Sequence, residues 1–158
     1  MSVNIRRMTL DDLPAVVALD QMSFSLPWPE RSFRFELTDN HASRCWVAEA
    51  DGEIVGMLVA WLLVDEAHIA TLATHPAYRR RGIARELLSR ALREMAEEGA
   101  VTSFLEVRES NTAAQALYRQ FGYEAVGRRK RYYKDTDEDA ILMTLNGLEK
   151  FKTKTLEG

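Results

Sequence analysis

Cysteine is almost absent from this chain of 158 residues, which contains only Cys45. A single cysteine excludes an internal disulfide, and no C-x-x-C pair is available for zinc or redox chemistry. The three histidines, His41, His68 and His75, lack the spacing of metal ligands, so we expect no metal site. Cys45 lies within an apolar run, where a buried small hydrophobic residue is more common than a nucleophile.

Long hydrophobic runs and a strong excess of charge are also absent. No apolar run approaches transmembrane length and the N-terminus lacks the core of a signal peptide, so a soluble, cytoplasmic protein is expected. The net charge is −3, which makes the arginines a local cluster in an acidic protein. A non-specific nucleic-acid-binding protein is more often basic overall, and its affinity would fall steeply with salt.

The length and the 46% of hydrophobic residues suit one domain with a substantial core. We predict a single domain over residues 1–146 and a flexible tail over 147–158, which has little to bury. Hydrophobic periodicity predicts strands near residues 3–8, 44–50, 53–64, 67–73, 101–108, 123–134 and 140–145, and helices near 9–24, 30–38, 83–99 and 111–122. Asp51-Gly52 is typical of a hairpin turn with positive φ. The order β-α-α-β-β-β-α-β-α-β-β predicts an α/β (α+β) fold with a mixed, mostly antiparallel sheet of about seven strands and about four helices on both faces.

The chain is organised around a basic loop between the fourth strand and the third helix. His75-Pro76 ends the strand, Arg79-Arg80-Arg81-Gly82 follows, and apolar residues at helical spacing begin at Ile83. The first amides of a helix have no intrahelical partner and the helix dipole favours anions there. Gly82 and the small Ala84 would let a phosphate approach the backbone. The loop lacks both the P-loop and the dinucleotide motifs, so the pattern predicts a pyrophosphate site or, alternatively, a connection with solvated arginines.

Several motifs together resemble one enzyme family. Arg79-x-x-Gly82-x-Ala84 after a strand is similar to the acetyl-coenzyme-A loop of the GNAT N-acetyltransferases, written (Q/R)-x-x-G-x-(G/A). Further segments resemble the RimI-type subgroup, which acetylates protein N-termini and is named for the N-terminal alanine of a ribosomal protein. These segments are Leu26–Phe33, Leu105–Asn111, Ala116–Tyr118, Phe121–Tyr123 and Arg131–Tyr133. The resemblance runs from about Val3 to Leu145.

The resemblance implies a GNAT fold in which the pantetheine of acetyl-coenzyme A enters a gap between two splayed parallel strands, with no metal. The residues implied for the co-substrate are Leu72, Ala73 and Thr74 through their backbone, the loop residues Arg79, Arg80, Arg81, Gly82, Ile83, Ala84 and Arg85, and also Asn111 and Tyr118. Asn111 is equally explained as the cap of its helix, and the sequence leaves open which arginines contact phosphate.

Two residues are candidates for the chemistry. Glu106 lies in the middle of a strand among apolar residues, where burial would raise the pKa of its carboxyl toward that of a useful base. A solvent-facing strand residue is the alternative, and the resemblance favours the base. Tyr118 matches the acid of the family, although an ordinary core aromatic has the same pattern. Because the reference pKa of Tyr is ~10 and that of a thiol about 8.5, Tyr118 is a weak acid for a leaving thiolate.

Acceptor-side residues are implied only by the resemblance. They are Trp28, Arg31, Tyr132 and Tyr133. The aromatic segment around Trp28 is explained equally well as a hydrophobic lid, and the basic run Arg128–Arg131 as a solvated hairpin edge.

The resemblance therefore implies an enzyme that moves acetyl from acetyl-coenzyme A to the N-terminal amine of a protein, of the ribosomal-protein N-terminal alanine type, by direct attack in a ternary complex. Two alternatives are kept. One is a GNAT acetyltransferase acting on a lysine side chain or a small amine. The other is an acyl-coenzyme-A-binding module without turnover, which would need neither Glu106 nor Tyr118.

Overall fold

The computed structural model of the protein describes residues 2–153. Eleven helices and strands follow the predicted order. The strands are β1 Val3–Arg7, β2 Ser43–Ala50, β3 Glu53–Leu63, β4 Glu66–Thr74, β5 Thr102–Arg108, β6 Glu124–Tyr133 and β7 Glu138–Asn146. The helices are α1 Leu13–Ser23, α2 Glu30–Thr38, α3 Ile83–Glu97 and α4 Thr112–Phe121, and short 3-10 turns occupy Leu10–Asp12, Pro76–Tyr78 and Leu148–Phe151.

The strands form a seven-stranded sheet in the order β1-β2-β3-β4-β5-β7-β6. The pairs β1–β2, β2–β3, β5–β7 and β7–β6 are antiparallel. The predicted fold class is confirmed by this sheet and by the four helices. The predicted hairpin turn is confirmed as well, because Asp51 and Gly52 have φ angles of 54° and 79°.

The described residues divide into two compact units, 2–61 with 69–91 and 62–68 with 92–153. Whether they behave as the single domain expected from the sequence stays a prediction. In the first unit, buried residues of α1 and α2 such as Leu13, Val16 and Phe33 share a core with Val47 and Met57. The start of α1 is fixed by Arg6, whose Nη1 and Nη2 donate to the two carboxylate oxygens of Asp12, each at 2.8 Å. These bonds keep the pKa of Asp12 below its usual value.

In the second unit, Leu105 and Val107 of β5 and Met143 and Leu145 of β7 form a buried layer. The hydroxyl of the buried Tyr123 lies 2.7 Å from the hydroxyl of Ser103, a buried bond between two otherwise costly polar groups. The ring of Tyr123 meets that of Tyr118 edge to face, with 5.6 Å between ring centroids.

The first residues of the expected tail make contacts within the second unit. Leu148 is fully buried and its N–H donates to the carbonyl of Val101 at 3.0 Å. The ring of Phe151 lies 6.2 Å from that of Phe121, and the Thr153 hydroxyl donates to Glu97 at 2.7 Å. Two apolar residues among lysines gave too weak a pattern to reveal this return. The rest of the predicted tail, 154–158, lies outside the described residues.

Gly56 allows α3 to approach the backbone of β3 closely. A Cβ at this position would lie 2.9 Å from both Ile83 Cγ2 and Leu87 Cδ1. Such a distance is below van der Waals contact, so a methyl group would push the first turns of α3 away from the strand. The position of the start of α3 therefore depends on the absence of a side chain at residue 56.

We expect Gly56→Ala to lower the free energy of unfolding by about 1–3 kcal/mol through overpacking. Gly127→Ala is the matched control, because its Cβ would meet Leu142 Cδ1 at an ordinary 3.5 Å. The control should be neutral or stabilising by about 0.4–1 kcal/mol. Denaturant titration measures both variants, and equal stability would contradict the close packing at Gly56.

Candidate active site

The loop that follows β4 is held by its own backbone. The N–H of His75 donates to the carbonyl of Val55 at 2.8 Å, which ties the end of β4 to β3. His75 Nδ1 then accepts from the N–H of Ala77 at 3.0 Å and caps the short turn Pro76–Tyr78. The loop therefore leaves the sheet in a defined direction before the arginines begin.

The backbone of the arginine loop is open and left-handed at two points. Arg80 has a φ of 65° and Gly82 a φ of 78°. Residues of this conformation turn neighbouring N–H groups toward one side, as in the backbone concavities that bind anions. A Cβ at Gly82 would meet no atom within 4 Å, so the backbone there is accessible. The residues Arg79, Arg80, Arg81 and Arg85 are exposed. The open backbone and the exposed arginines are compatible with an anion site, which stays a prediction.

A buried hydroxyl lies just before this loop. Thr74 Oγ1, at the end of β4, is a buried side-chain oxygen that has no hydrogen-bond partner within residues 2–153. Leaving such a group unsatisfied costs about 1–3 kcal/mol, so a partner outside the chain is favoured. Leu72 is half-buried and Ala73 is buried in the same strand. The end of β4 thus fits a polar ligand such as the pantetheine arm of acetyl-coenzyme A.

Glu106 lies on the half-exposed face of β5. Phe104, Glu106 and Arg108 alternate with the buried Leu105 and Val107. The Glu106 side chain is 23% exposed, and its Oε2 lies 3.5 Å from His68 Nε2. The sequence suggested burial among apolar neighbours, whereas the alternation of the strand keeps this carboxylate within reach of solvent. Glu106 is therefore accessible to a reacting amine or to a water.

Tyr118 is buried in α4, and burial raises the pKa of its hydroxyl well above the ordinary value of a tyrosine. An electrostatic interaction with Tyr133 raises this pKa further. Asn111 caps the same helix as predicted, because its Oδ1 accepts from the N–H of Ala114 at 3.1 Å. The cap explains Asn111 without a ligand.

The two tyrosines expected on the acceptor side differ in exposure. Tyr132 is 42% exposed, whereas Tyr133 is half-buried beneath the guanidinium of Arg108, whose carbon lies 4.1 Å from the ring centroid. Arg108 also donates to both carboxylate oxygens of Asp135 at 3.0 Å. Burial raises the pKa of Tyr133 to about 12; Arg108 opposes that shift and Glu106 adds to it.

Trp28 and Arg31 line a cavity of about 420 Å³ beside α2, together with Ser32, Phe35, Glu36 and Trp61. The Trp28 ring also packs on buried Phe33, with 5.2 Å between centroids. The backbone N–H of Trp28 donates to Asp20 Oδ2 at 2.7 Å. Burial raises the pKa of that aspartate. Trp28 therefore packs on the core and also lines a cavity, and its role on the acceptor side stays a prediction.

His68 and Arg108 are contacts of the site that the sequence analysis missed. His68 was considered only as a metal ligand, and Arg108 only as part of a motif. The signal was available in part, because Arg108 follows Glu106 by two residues and must share its face of the strand. The pairing of His68 with Glu106 depends on strand register and could not be inferred.

Cys45 is buried, as predicted, and burial raises the pKa of its thiol to about 11. Throughout residues 2–153, no three His, Cys, Asp or Glu side chains are grouped as a metal site requires. In the same part of the chain, no helix is long and apolar enough to cross a membrane.

Comparison with known proteins supports the resemblance. The profile described as "Acetyltransferase (GNAT) family" matches residues 13–123. The [ribosomal protein bS18]-alanine N-acetyltransferase of Escherichia coli (strain K12) is 35% identical over 145 residues, covering 85% of this chain and 90% of that protein. The N-alpha-acetyltransferase RimI of Mycobacterium tuberculosis is 40% identical over 121 residues, covering 74% of each.

A solved structure matches the fold over nearly the whole chain. The crystal structure of the ribosomal-protein-S18-alanine N-acetyltransferase from Escherichia coli has a TM-score of 0.85 at 30% identity, covering 99% of both chains. The family match, the identity and the shared architecture agree with one another. The chain belongs to the GNAT family of acetyltransferases and is an acetyl-coenzyme-A-dependent N-acetyltransferase of the RimI type.

Proposed function

We propose that this enzyme acetylates the N-terminal α-amine of a protein, with the N-terminal alanine of a ribosomal protein as the acceptor type, by direct attack in a ternary complex. The name of the Escherichia coli relative supports this acceptor. Acetylation of a ribosomal protein would take place in the cytoplasm. The observation that carries the proposal is the accessible Glu106 carboxylate, because an α-ammonium must lose a proton before it can attack.

The proposed co-substrate site combines the end of β4 with the arginine loop. The anionic diphosphate would bind the amides and guanidinium groups of the loop, and the Thr74 hydroxyl would gain a partner near the pantetheine. The residues assigned to this site are Leu72, Ala73, Thr74, Arg79, Arg80, Arg81, Gly82, Ile83, Ala84 and Arg85, with Asn111 and Tyr118.

Glu106 is proposed as the general base. An N-terminal ammonium has a reference pKa of ~8, so a positioned carboxylate can accept its proton directly or through one water. The freed amine then attacks the thioester carbonyl, forming the new C–N bond as the C–S bond breaks. A covalent acetyl-enzyme through Cys45 is not part of the proposal, because that thiol is buried and its pKa is raised to about 11.

Tyr118 is proposed to stabilise the leaving thiolate. A thiol has a reference pKa of about 8.5, far below that of a tyrosine whose pKa burial has raised. Full proton transfer from Tyr118 to the sulfur is therefore strongly uphill. A hydrogen bond donated by the Tyr118 hydroxyl provides stabilisation without that cost.

On the acceptor side, we assign Trp28 and Arg31 at the α2 cavity and Tyr132 and Tyr133 at the end of β6. The cavity offers aromatic surface and one exposed guanidinium, which suit the side chains and backbone of an extended peptide. A small amine would need less surface than this, so the cavity favours a peptide acceptor.

The first prediction concerns acceptor and base together. We expect release of free coenzyme A with a peptide that begins with a free alanine, and none with a matched peptide that has a blocked N-terminus and an internal lysine. Glu106→Gln should lower kcat by about 10²–10⁴-fold, the usual contribution of a general base, and leave coenzyme A binding unchanged. Turnover of the lysine peptide would contradict the N-terminal acceptor and indicate a lysine side chain instead. Full activity of Glu106→Gln would contradict the role of Glu106 as the base.

A second prediction tests the anion site. Gly82→Ala should weaken coenzyme A binding about tenfold or more, because a methyl group obstructs hydrogen bonds to a charged phosphate. Gly52→Ala is the matched control, since its φ of 79° is close to the 78° of Gly82 and a Cβ there also meets nothing within 4 Å. Both variants should lose about 1 kcal/mol of stability. Equal coenzyme A affinities by calorimetry would remove Gly82 from the site.

The third prediction concerns pH. Because burial raises the pKa of Tyr118, its hydroxyl stays protonated through pH 9.5. Tyr118→Phe should therefore lower kcat by about 10–100-fold, the size of a hydrogen bond to a charged group, by the same factor from pH 7 to 9.5. Tyr123→Phe, which loses the bond to Ser103, should reduce stability but not kcat. A Tyr118 effect that vanished as pH rose would mean that the hydroxyl ionises in this range.

A further inference from the structure

His68 is the side chain that meets the Glu106 carboxylate. Its Nε2 lies 3.5 Å from Glu106 Oε2, and the two side chains are 17% and 23% exposed. This distance is slightly long for a hydrogen bond, but catalytic contacts often tighten when substrates bind. Because solvent reaches both side chains, their attraction adds little to the free energy of unfolding. The pair matters for the orientation that it gives the Glu106 carboxylate.

Packing determines where the imidazole points. The His68 ring lies against Phe104, with 5.0 Å between ring centroids and 46° between the ring planes. Phe104 and Glu106 are two residues apart on β5 and share one face of the strand. A ring that packs on Phe104 therefore presents its edge to the carboxylate next along that face.

Arg108, the other charged residue on this face of β5, pairs with a different carboxylate. Arg108 binds both carboxylate oxygens of Asp135 at 3.0 Å and covers the ring of Tyr133. Across the sheet, Glu106 is opposite Leu142 of β7, which offers no hydrogen bond. Of these neighbours, His68 is the one placed to hold a carboxylate oxygen.

We propose that His68 is a positioning residue for Glu106, an inference that rests on the proposed role of Glu106 as the base. The His68 Nε2–H donates to Glu106 Oε2 and fixes the carboxylate, which leaves Oε1 to accept a proton. In the reaction, an N–H bond of the ammonium breaks and an O–H bond forms at Oε1, or a water passes the proton between them. A base oriented by a third group in this way recurs among enzymes.

The test is a double-mutant cycle measured as kcat with the free-alanine peptide. His68→Leu keeps apolar packing against Phe104 but has no donor, and it should lower kcat by about 10–100-fold, the size of a hydrogen bond to a charged group. His68→Gln, with an amide N–H in place of Nε2–H, should recover most of that loss. KM for acetyl-coenzyme A and the thermal midpoint should stay unchanged, and His41→Gln, at an exposed histidine, is the control.

The decisive measurement is His68→Leu in the Glu106→Gln background. If His68 acts through Glu106, the double variant should have the kcat of Glu106→Gln alone. An equal loss in both backgrounds would assign His68 a merely structural role and overturn the inference. If both His68 variants keep the kcat of the unchanged enzyme while Glu106→Gln lowers it, this inference is overturned and the proposed base is retained. Full activity of Glu106→Gln would remove the proposed base, and the inference with it.

Discussion

The close approach of α3 to β3 at Gly56 is the constraint on which the proposed co-substrate site depends. The first turns of α3 can contact the strand backbone only because residue 56 has no side chain to displace Ile83 and Leu87. The free N–H groups at the start of a helix point along its axis and can bind an anion. They form a defined anion site only where the helix is held in one place. The absence of a side chain at residue 56 thereby lets the helix that follows the arginine loop begin close to β3.

A different principle governs β5, which carries the proposed base. β5 buries every second residue and leaves the others half-exposed. The buried set stabilises the strand, so the remaining set can carry Glu106 and Arg108 without the cost of full burial. Each of these charges then has a separate partner, His68 for one and Asp135 for the other. The apolar face would give the proposed base a rigid position, and the polar face would carry its chemistry.

Sequence periodicity predicted what depends on local chemistry. The order of the elements, the bounds of α2, the positive φ at Asp51 and Gly52 and the Asn111 cap all follow from residues close together in the chain. What the sequence could not supply depends on strand register and tertiary contacts. The hydrogen bond of Leu148 to Val101, the pairing of His68 with Glu106 and the ion pair of Arg108 with Asp135 join residues between 27 and 47 positions apart. For the functional residues, resemblance supplied the roles, and geometry now supplies their environments.

The environments of Glu106 and Tyr118 suit two different roles in the proposed chemistry, acceptance of a proton and donation of a hydrogen bond. Burial raises the pKa of Tyr118, which disfavours proton transfer from its hydroxyl to a thiolate and favours its role as a hydrogen-bond donor. The proton released by the ammonium must then go to another group, and Glu106 is the carboxylate that remains accessible on β5. Since the thiolate can take up its proton from water, the tyrosine needs only to stabilise charge. Acetyl transfer by this route needs one base and one donor, and the nearly cysteine-free sequence is sufficient for it.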